Sequence, residues 1–368
     1  MKNRFFIPGF MLFIAAACTS PAGKTLRETN QELVFDIGFP TGRKEQFTDH
    51  NKTYIAFSDL VTRQKIRVFD ETGLPVSDFD LNQIATEKQT SFEGFALINK
   101  QTVALLEKYR NIIDLVDANG TLLHTKDYSS YLLDGIEMRI PILLQKNRLI
   151  TSIDYRGTNN PDRWTLQTLT GYYSKRHHSP CIFIDQSFTD STQHVLLKGE
   201  KLYPRFTKEG EMAIGMTGFC FAKKKQLFFF STHTDSVYTF DSDMEIKTAI
   251  RIRSDYFPIN LRPTSLAKEM KNGNLHNEET KEKSCIADLK YDEYKQLFYC
   301  LIKGPKVGDN PSPTSFIILD KNLHKLSEVK IDNSKYWSFS SFVTKVGLYI
   351  ENINKDLNSK KYTLFKYE

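Results

Sequence analysis

Beyond its N-terminus, no segment of this 368-residue chain approaches the roughly 18 consecutive apolar residues of a membrane-spanning helix. A helical crossing by the body of the chain is thereby excluded. No run of Lys or Arg stands out, and 50 basic against 44 acidic residues leave a formal charge of only +6, so a nucleic-acid partner has no electrostatic footprint. HExxH and CxxC are absent and the eight histidines are scattered, which removes the spacing that metal sites require. His177 and His178 are adjacent, so on a strand they point to opposite faces and cannot share one ion. GxSxG, GxGxxG and the phosphate loop are missing, which leaves a triad hydrolase of that type and a nucleotide enzyme without support. Two SxxK matches, Ser265-Leu266-Ala267-Lys268 and Ser327-Glu328-Val329-Lys330, lack the SDN and KTG that would accompany them and read as chance. No metal or cofactor is expected.

What the chain does have is a repeat. Val237-Tyr238-Thr239-Phe240-Asp241 is a short apolar strand that ends in an aspartate and a polar turn, and the plan returns at Arg67-Val68-Phe69-Asp70, Asp114-Leu115-Val116-Asp117, Ile182-Phe183-Ile184-Asp185 and Ile317-Ile318-Leu319-Asp320. Leu364-Phe365-Lys366-Tyr367-Glu368 is a degenerate sixth copy. Repeats of roughly 45 to 80 residues built from short strands signal a radial β-architecture. Apolar residues at 40% and aromatics at 12% suffice to fill a large β core and exclude a disordered class.

The first residues read Met1-Lys2-Asn3-Arg4, then an apolar run over 5–17, then Cys18-Thr19-Ser20-Pro21. A basic start, a short apolar run and small residues before a cleavage point make an export signal over 1–17, with a tether over 18–30. Its removal takes two positive charges, Lys2 and Arg4, and lowers the formal charge from +6 to +4. Cys181, Cys220, Cys285 and Cys300 remain besides Cys18 and allow three full pairings in an oxidising compartment. Cys285 and Cys300 fall on adjacent predicted strands, so both a bridge between them and a pair of buried thiols stay open.

Taken in order, the chain offers an unassigned strand at 32–39, a meander over 52–81, a second over 92–125, and a third from 140 that is interrupted by a polar and aromatic insertion at 156–180. A fourth covers 214–252, a charged stretch with a short predicted helix at 265–271 follows, and a fifth covers 286–331. The sixth, from about 337 to 367, lacks a fourth strand, which the segment at 32–39 can supply. Adding it there removes the exposed edges between the first and last blades. The expectation is a single all-β domain over 31–368, a six-bladed β-propeller closed by an N-terminal strand; the count becomes seven if the insertion at 156–180 hides strands.

Cys18 directly after Ala15-Ala16-Ala17 resembles the lipobox of bacterial lipoproteins, although Ala15 stands where that family usually has Leu. With the strand-aspartate-turn repeats and the hairpin Thr232-His233-Thr234-Asp235-Ser236-Val237-Tyr238, the chain resembles six-bladed, TolB-like β-propeller lipoproteins of Bacteroidetes defined by a domain of unknown function. The resemblance covers nearly the whole mature chain. It implies lipid attachment at Cys18, an outer-membrane address and a monomeric propeller, and it transfers no catalytic residue. Residues 19–24 contain no acidic side chain, which favours the periplasmic face over display on the cell surface.

The repeated aspartates each precede a turn, where Asp side chains bond their own backbone, and they would fall on different blades; a structural role is expected. His233 and Asp235 could form a general-base pair or a polar hairpin tip. In propellers of this kind ligands bind at the channel end bordered by the loops joining second to third strands and blade to blade. Here those loops are 156–180, 232–236, 253–284 and 303–313. Arg156, Arg163, Trp164, Arg176 and His178 give that rim cationic and aromatic character suited to an anionic or sugar-like partner. Two functions follow: a lipid-anchored binding or scaffold module for a protein or glycan partner, or a propeller hydrolase or lyase acting on a sugar or lactone through acids such as Glu93, Glu137 or Asp154.

Overall fold

Runs such as Tyr54-Ile55-Ala56-Phe57 and Phe316-Ile317-Ile318-Leu319 are buried on both faces, which so short a stretch achieves as a strand with neighbours on either side. Such strands recur along the chain and set its architecture. The structure, a computed structural model, describes residues 24–49, 52–107, 110–130, 132, 136–145, 148–155, 180–185, 194–198, 211–212, 217–221, 226–232, 234–240, 246–259, 264–265, 281–308, 310–354 and 356–368.

The strands form successive antiparallel sheets. The first sheet runs Arg43–Asp49, Lys52–Asp59, Lys65–Asp70, Pro75–Asp80, and the second Phe92–Asn99, Thr102–Glu107, Ile112–Asp117, Leu122–Asp127. The third takes Ile136–Gln145, Arg148–Tyr155, Pro180–Asp185, His194–Lys198, and the fourth Thr217–Phe221, Leu227–Ser231, Ser236–Phe240, Ile246–Arg251. The fifth is Cys285–Asp292, Leu297–Lys303, Thr314–Leu319, Lys325–Ile331. These five are self-contained meanders. The sixth four-stranded sheet is composite: Tyr336–Thr344, Gly347–Asn352 and Ser359–Tyr367 are completed by Leu26–Asp36 from the other end of the chain. The chain builds five whole blades and closes the ring with a composite one that the N-terminal strand completes. A two-stranded ladder pairs Glu211–Met212 with Thr264–Ser265, so the helix expected from 265 does not begin there.

The closing strand pairs antiparallel with the last, Leu26 opposite Tyr367 and Asp36 opposite Ser359. Backbone bonds of 2.8 and 3.0 Å between Thr25 and Glu368 extend the ladder. It starts within the stretch expected to be a tether. Gly73, at the first sheet's aspartate turn, adopts φ +88° and lies under this strand: a Cβ there would stand 2.8 Å from the Val34 carbonyl oxygen.

First strands of neighbouring sheets run beside one another, Arg43–Asp49 by Phe92–Asn99, Phe92–Asn99 by Ile136–Gln145, and Cys285–Asp292 by Thr217–Phe221 and Tyr336–Thr344. They are the inner strands that face the axis of a β-propeller. Between the sheets lie apolar layers. Phe35 of the closing strand sits in one of them, with its ring centroid 5.2 Å from Phe57, 5.1 Å from Phe69 and 5.6 Å from Tyr362.

Several neighbouring sheets are also tied by polar contacts. Lys88, after the helix Asn82–Glu87, reaches Glu107 at 2.7 Å and Asp114 at 2.6 Å in the second sheet. Lys126 and the Tyr128 hydroxyl donate to Asp185 of the third at 2.6 and 2.7 Å. The Ser254 hydroxyl and the Asp255 amide donate to Glu328 of the fifth at 2.5 and 2.7 Å.

Of the two readings open for Cys285 and Cys300, the bridge between them is not formed: the register sets Cys285 opposite Lys303 and Cys300 opposite Leu289. Asp185, besides ending its repeat strand, is the buried anchor just described, and the residues that follow it lie outside the described residues. Asp70, Asp117 and Asp320 do serve turns, each accepting two downstream backbone amides on one oxygen at 2.8–3.1 Å. Asp241 lies outside the described residues. Among the described residues no helix is long and apolar enough to cross a membrane.

Candidate functional site at the mouth of the central channel

The inner strand of the first sheet, Arg43-Lys44-Glu45-Gln46-Phe47-Thr48-Asp49, holds one apolar residue. It is a strand because Lys52–Asp59 pairs with it along its whole length, Arg43 opposite Ser58 and Asp49 opposite Lys52. Its side chains alternate between two faces. Lys44 and Gln46 turn to the closing sheet. The Lys44 ammonium donates to the Ser341 carbonyl at 2.6 Å and lies 5.4 Å from the ring centroids of Phe342 and Tyr362. Burial, with Lys290 adding like charge, pushes its pKa well below the ordinary lysine value. Gln46 binds Val343 as a strand would, donating to its carbonyl at 2.8 Å and accepting its amide at 3.0 Å.

Arg43 and Glu45 share the other face and differ from every ionised group described above. Among the described residues neither side chain makes a hydrogen bond or ion pair. Both are half-buried. Burial pushes the Glu45 carboxyl up to about 7, against the pull of Lys290, Arg43 and Lys44, and with a push from Asp288. Burial likewise lowers the Arg43 pKa, opposed by Glu45 and Glu93.

The groups whose charge these two residues feel stand on several inner strands. From the fifth sheet come Asp288 and Lys290, paired at 2.5 Å. From the second comes Glu93, felt by Arg43. The closing sheet carries two exposed aromatics on its inner strand, Trp337 and Phe339, 45% and 38% exposed with ring centroids 5.1 Å apart. Ser338 between them faces inward and bonds the Thr314 hydroxyl at 2.8 Å, which turns its neighbours outward. The register jumps between Trp337 and Ser341, a bulge of the kind that re-aims side chains beside functional sites.

Arg43 begins its strand, opposite Ser58 near the loop that joins the second and third strands of its sheet. The expected ligand rim carries that same class of loop. Tyr155 and Pro180 flank the corresponding connection in the third sheet, but Arg156, Arg163, Trp164, Arg176 and His178 lie outside the described residues, as do His233 and Cys18. Asp235 is described. Its carboxylate pairs with Arg251 and accepts the Ser236 hydroxyl at 3.0 Å, which accounts for it as part of the hairpin. Glu93 stands on an inner strand as its candidacy required, and Glu137 pairs in register with Asp154, with both side chains outside the description. Arg43, Glu45, Asp288 and Lys290 were missed. Among the described residues no group of three or more His, Cys, Asp or Glu side chains is placed to hold a metal ion.

No protein-family model matches the chain, and neither does any curated protein. Among solved structures, a member of the DUF4221 family from Bacteroides vulgatus is similar at 17% sequence identity with a TM-score of 0.72, over 94% of this chain and 99% of that one. Virginiamycin B lyase from Staphylococcus aureus, in a catalytically inactive form with quinupristin, is far less similar, at 10% identity and a TM-score of 0.43 over 93% and 99% of the two chains. The β-propeller domain of Cps50 from Myceliophteria thermophila stands at 9% identity and a TM-score of 0.41, over 94% and 100%. At such identities the likeness is one of fold, and the fold it supports is the β-propeller.

Proposed function

We propose that this chain is a non-enzymatic binding module of the cell envelope, which receives a protein or glycan partner at the rim where its inner strands begin. It is grouped with the six-bladed propeller lipoproteins of Bacteroidetes, held by lipid on Cys18 to the periplasmic face of the outer membrane, and works as a monomer. The observation that carries the binding role is the polar inner strand Arg43–Asp49, on which Arg43 and Glu45 are half-buried on one face and, among the described residues, make no hydrogen bond or ion pair. Half-buried charges without partners are costly to a fold and are retained where a ligand completes them.

The hydrolase or lyase reading keeps one argument, a Glu45 carboxyl titrating near neutrality as a general acid or base does. Against it, Asp288, the carboxylate whose charge pushes on Glu45, is already paired with Lys290, and among the described residues no other acid is shown beside Glu45. The test is a thermal-shift panel of envelope glycans and peptides on wild type and on the double variant R43Q/E45Q. A ligand of the native fold raises the melting temperature by mass action. Stabilisation of wild type that the double variant loses supports the channel rim; equal stabilisation of both overturns it. Turnover of any panel member would transfer the case to the enzyme reading.

A further inference from the structure

On the other face of the same strand Lys44 meets the closing sheet, and the contacts there specify a ligand class for the binding role just proposed, on which this inference rests. Across that sheet Trp337 stands opposite Glu351 and Glu351 opposite Tyr362, so the three side chains share one face in a row. Lys44 lies over the same face, its ammonium 5.4 Å from the Tyr362 ring centroid and 2.6 Å from the Ser341 carbonyl oxygen. The Tyr362 hydroxyl bonds the Ser340 hydroxyl at 2.9 Å and reaches Glu351 at 3.4 Å. An unbroken set of contacts thus joins Lys44 to the strand that carries Trp337.

The charges on this face do not balance. Glu351 is buried, and Lys360 holds it at 2.8 Å. Among the described residues Lys44 has no ion pair; its hydrogen bond goes to a neutral carbonyl, and its other contacts are the rings of Phe342 and Tyr362. Burial acts against its charge, as does Lys290, and the acid that favours it most is Glu351, already shared with Lys360. Two ammonium groups therefore meet one carboxylate, and an anion from outside would complete the set.

The aromatic part of the face is held open by the fold. Between Trp337 and Ser341 the inner strand takes four steps against one on its partner, from Glu351 to Ile350. Ser338 pins this bulge to the Thr314 hydroxyl at 2.8 Å, and Ser340 pins it to Tyr362. Trp337 and Phe339 are left exposed, with ring centroids 5.1 Å apart. The C–H face of a sugar covers such a ring while its hydroxyls stay in water. We propose that this face of the closing sheet binds an acidic glycan, one sugar ring lying on Trp337 and a carboxylate pairing with Lys44. A neutral glycan would leave Lys44 without a counter-ion, and a small anion would leave the rings bare.

The chain has two tryptophans, so W164F makes Trp337 the only one and its fluorescence a local reporter. Three probes are titrated: trigalacturonate, its methyl ester, which keeps the rings and loses the charge, and acetate, which keeps the charge alone. Trigalacturonate should shift the Trp337 emission at concentrations up to about 10 mM. The ester and acetate should each bind about tenfold more weakly or worse, one charged contact or one stacked ring being lost. Calorimetry of the same probes on wild type repeats the comparison without any substitution.

K44Q should bind acid and ester alike, at the affinity of the ester. W337A should weaken both together, and thermal melting checks that each variant is folded. The inference is overturned if trigalacturonate does not bind wild type, if the ester or acetate matches it there, if folded K44Q keeps the advantage of the acid or weakens acid and ester equally, or if W337A changes nothing. Should neutral glycans or peptides stabilise wild type but not R43Q/E45Q, the acidic glycan falls and the binding role stands.

Discussion

The Phe35 ring, from the strand nearest the N-terminus, meets Phe69 of the first sheet edge-on, with centroids 5.1 Å apart and planes at 69°. The same ring meets Phe342 and Tyr362 of the closing sheet edge-on, at 5.9 and 5.6 Å. One side chain thus bonds the two ends of the ring of sheets, and its environment makes the following outcomes measurable.

Phe35→Ala is expected to lower unfolding stability by about 3–5 kcal/mol, the range for emptying a fully buried aromatic site. Val34→Ala, one residue away and 54% exposed, should change it by no more than about 0.5 kcal/mol. Urea unfolding of the two variants separates a closure that depends on packing from one that depends on backbone pairing alone.

Glu45 should make stability fall as pH rises. Its carboxyl titrates near 7 in the fold against 4.5 ordinarily, so the folded state favours the protonated form. That contribution is complete below about 4.5 and lost as pH rises through about 7. Glu45→Gln is neutral throughout and should gain on wild type as denaturation is measured from about pH 5 to about pH 8. A constant difference over that window would mean that the carboxylate is not desolvated.

Lys88→Met should cost about 3–5 kcal/mol, because it leaves Glu107 and Asp114, both fully buried, without their shared cation. Burial pulls the lysine pKa down, but hydrogen bonds to Asp114 and Glu107 outweigh it and hold the amine charged. Without it the two acids would share a proton, so the cost should shrink on acidification. Denaturation at two pH values measures this.

The two kinds of repeat aspartate should respond differently. Asp320→Ala removes two turn acceptor contacts at an exposed position and should cost about 1 kcal/mol, as loss of a comparable cap does. Asp185→Ala removes the buried carboxylate to which Lys126 and the Tyr128 hydroxyl both donate and should cost about 3 kcal/mol or more. Melting of the two variants side by side gives the order.

Most sheets were legible because their middle strands are continuous apolar runs and their turns carry Asp with Gly or Asn. The anchoring role of Asp185 was not legible, because its tertiary partners, Lys126 and Tyr128, come from the segment of the preceding sheet. The inner strand Arg43–Asp49 was invisible to any periodicity, since six of its seven residues are polar. It owes its shape to pairing with Lys52–Asp59 and to the side chains of Lys44 and Gln46, which bond backbone groups of Ser341 and Val343. One sequence signal did point to it. Thr53-Tyr54-Ile55-Ala56-Phe57-Ser58 is too evenly apolar for an edge strand, and a central strand needs a neighbour on its N-terminal side as well as at Lys65–Asp70. The candidate site sits on a strand that apolar patterning could not reveal, because a channel-facing strand is polar for the same reason that it can meet a ligand.

The composite sheet also imposes an order on biosynthesis. The Thr29 hydroxyl bonds the Leu364 carbonyl across 335 positions of sequence, so Leu26–Asp36 has no native partner until nearly all of the chain has been made. At ribosomal speed that wait is on the order of tens of seconds. Throughout it Phe35 and its strand remain an unpaired, partly apolar edge, and the other sheets can assemble only as an open arc. The strand Leu26–Asp36 leaves the ribosome long before it can pair, and whatever escorts the nascent chain must shield that segment until its partner emerges.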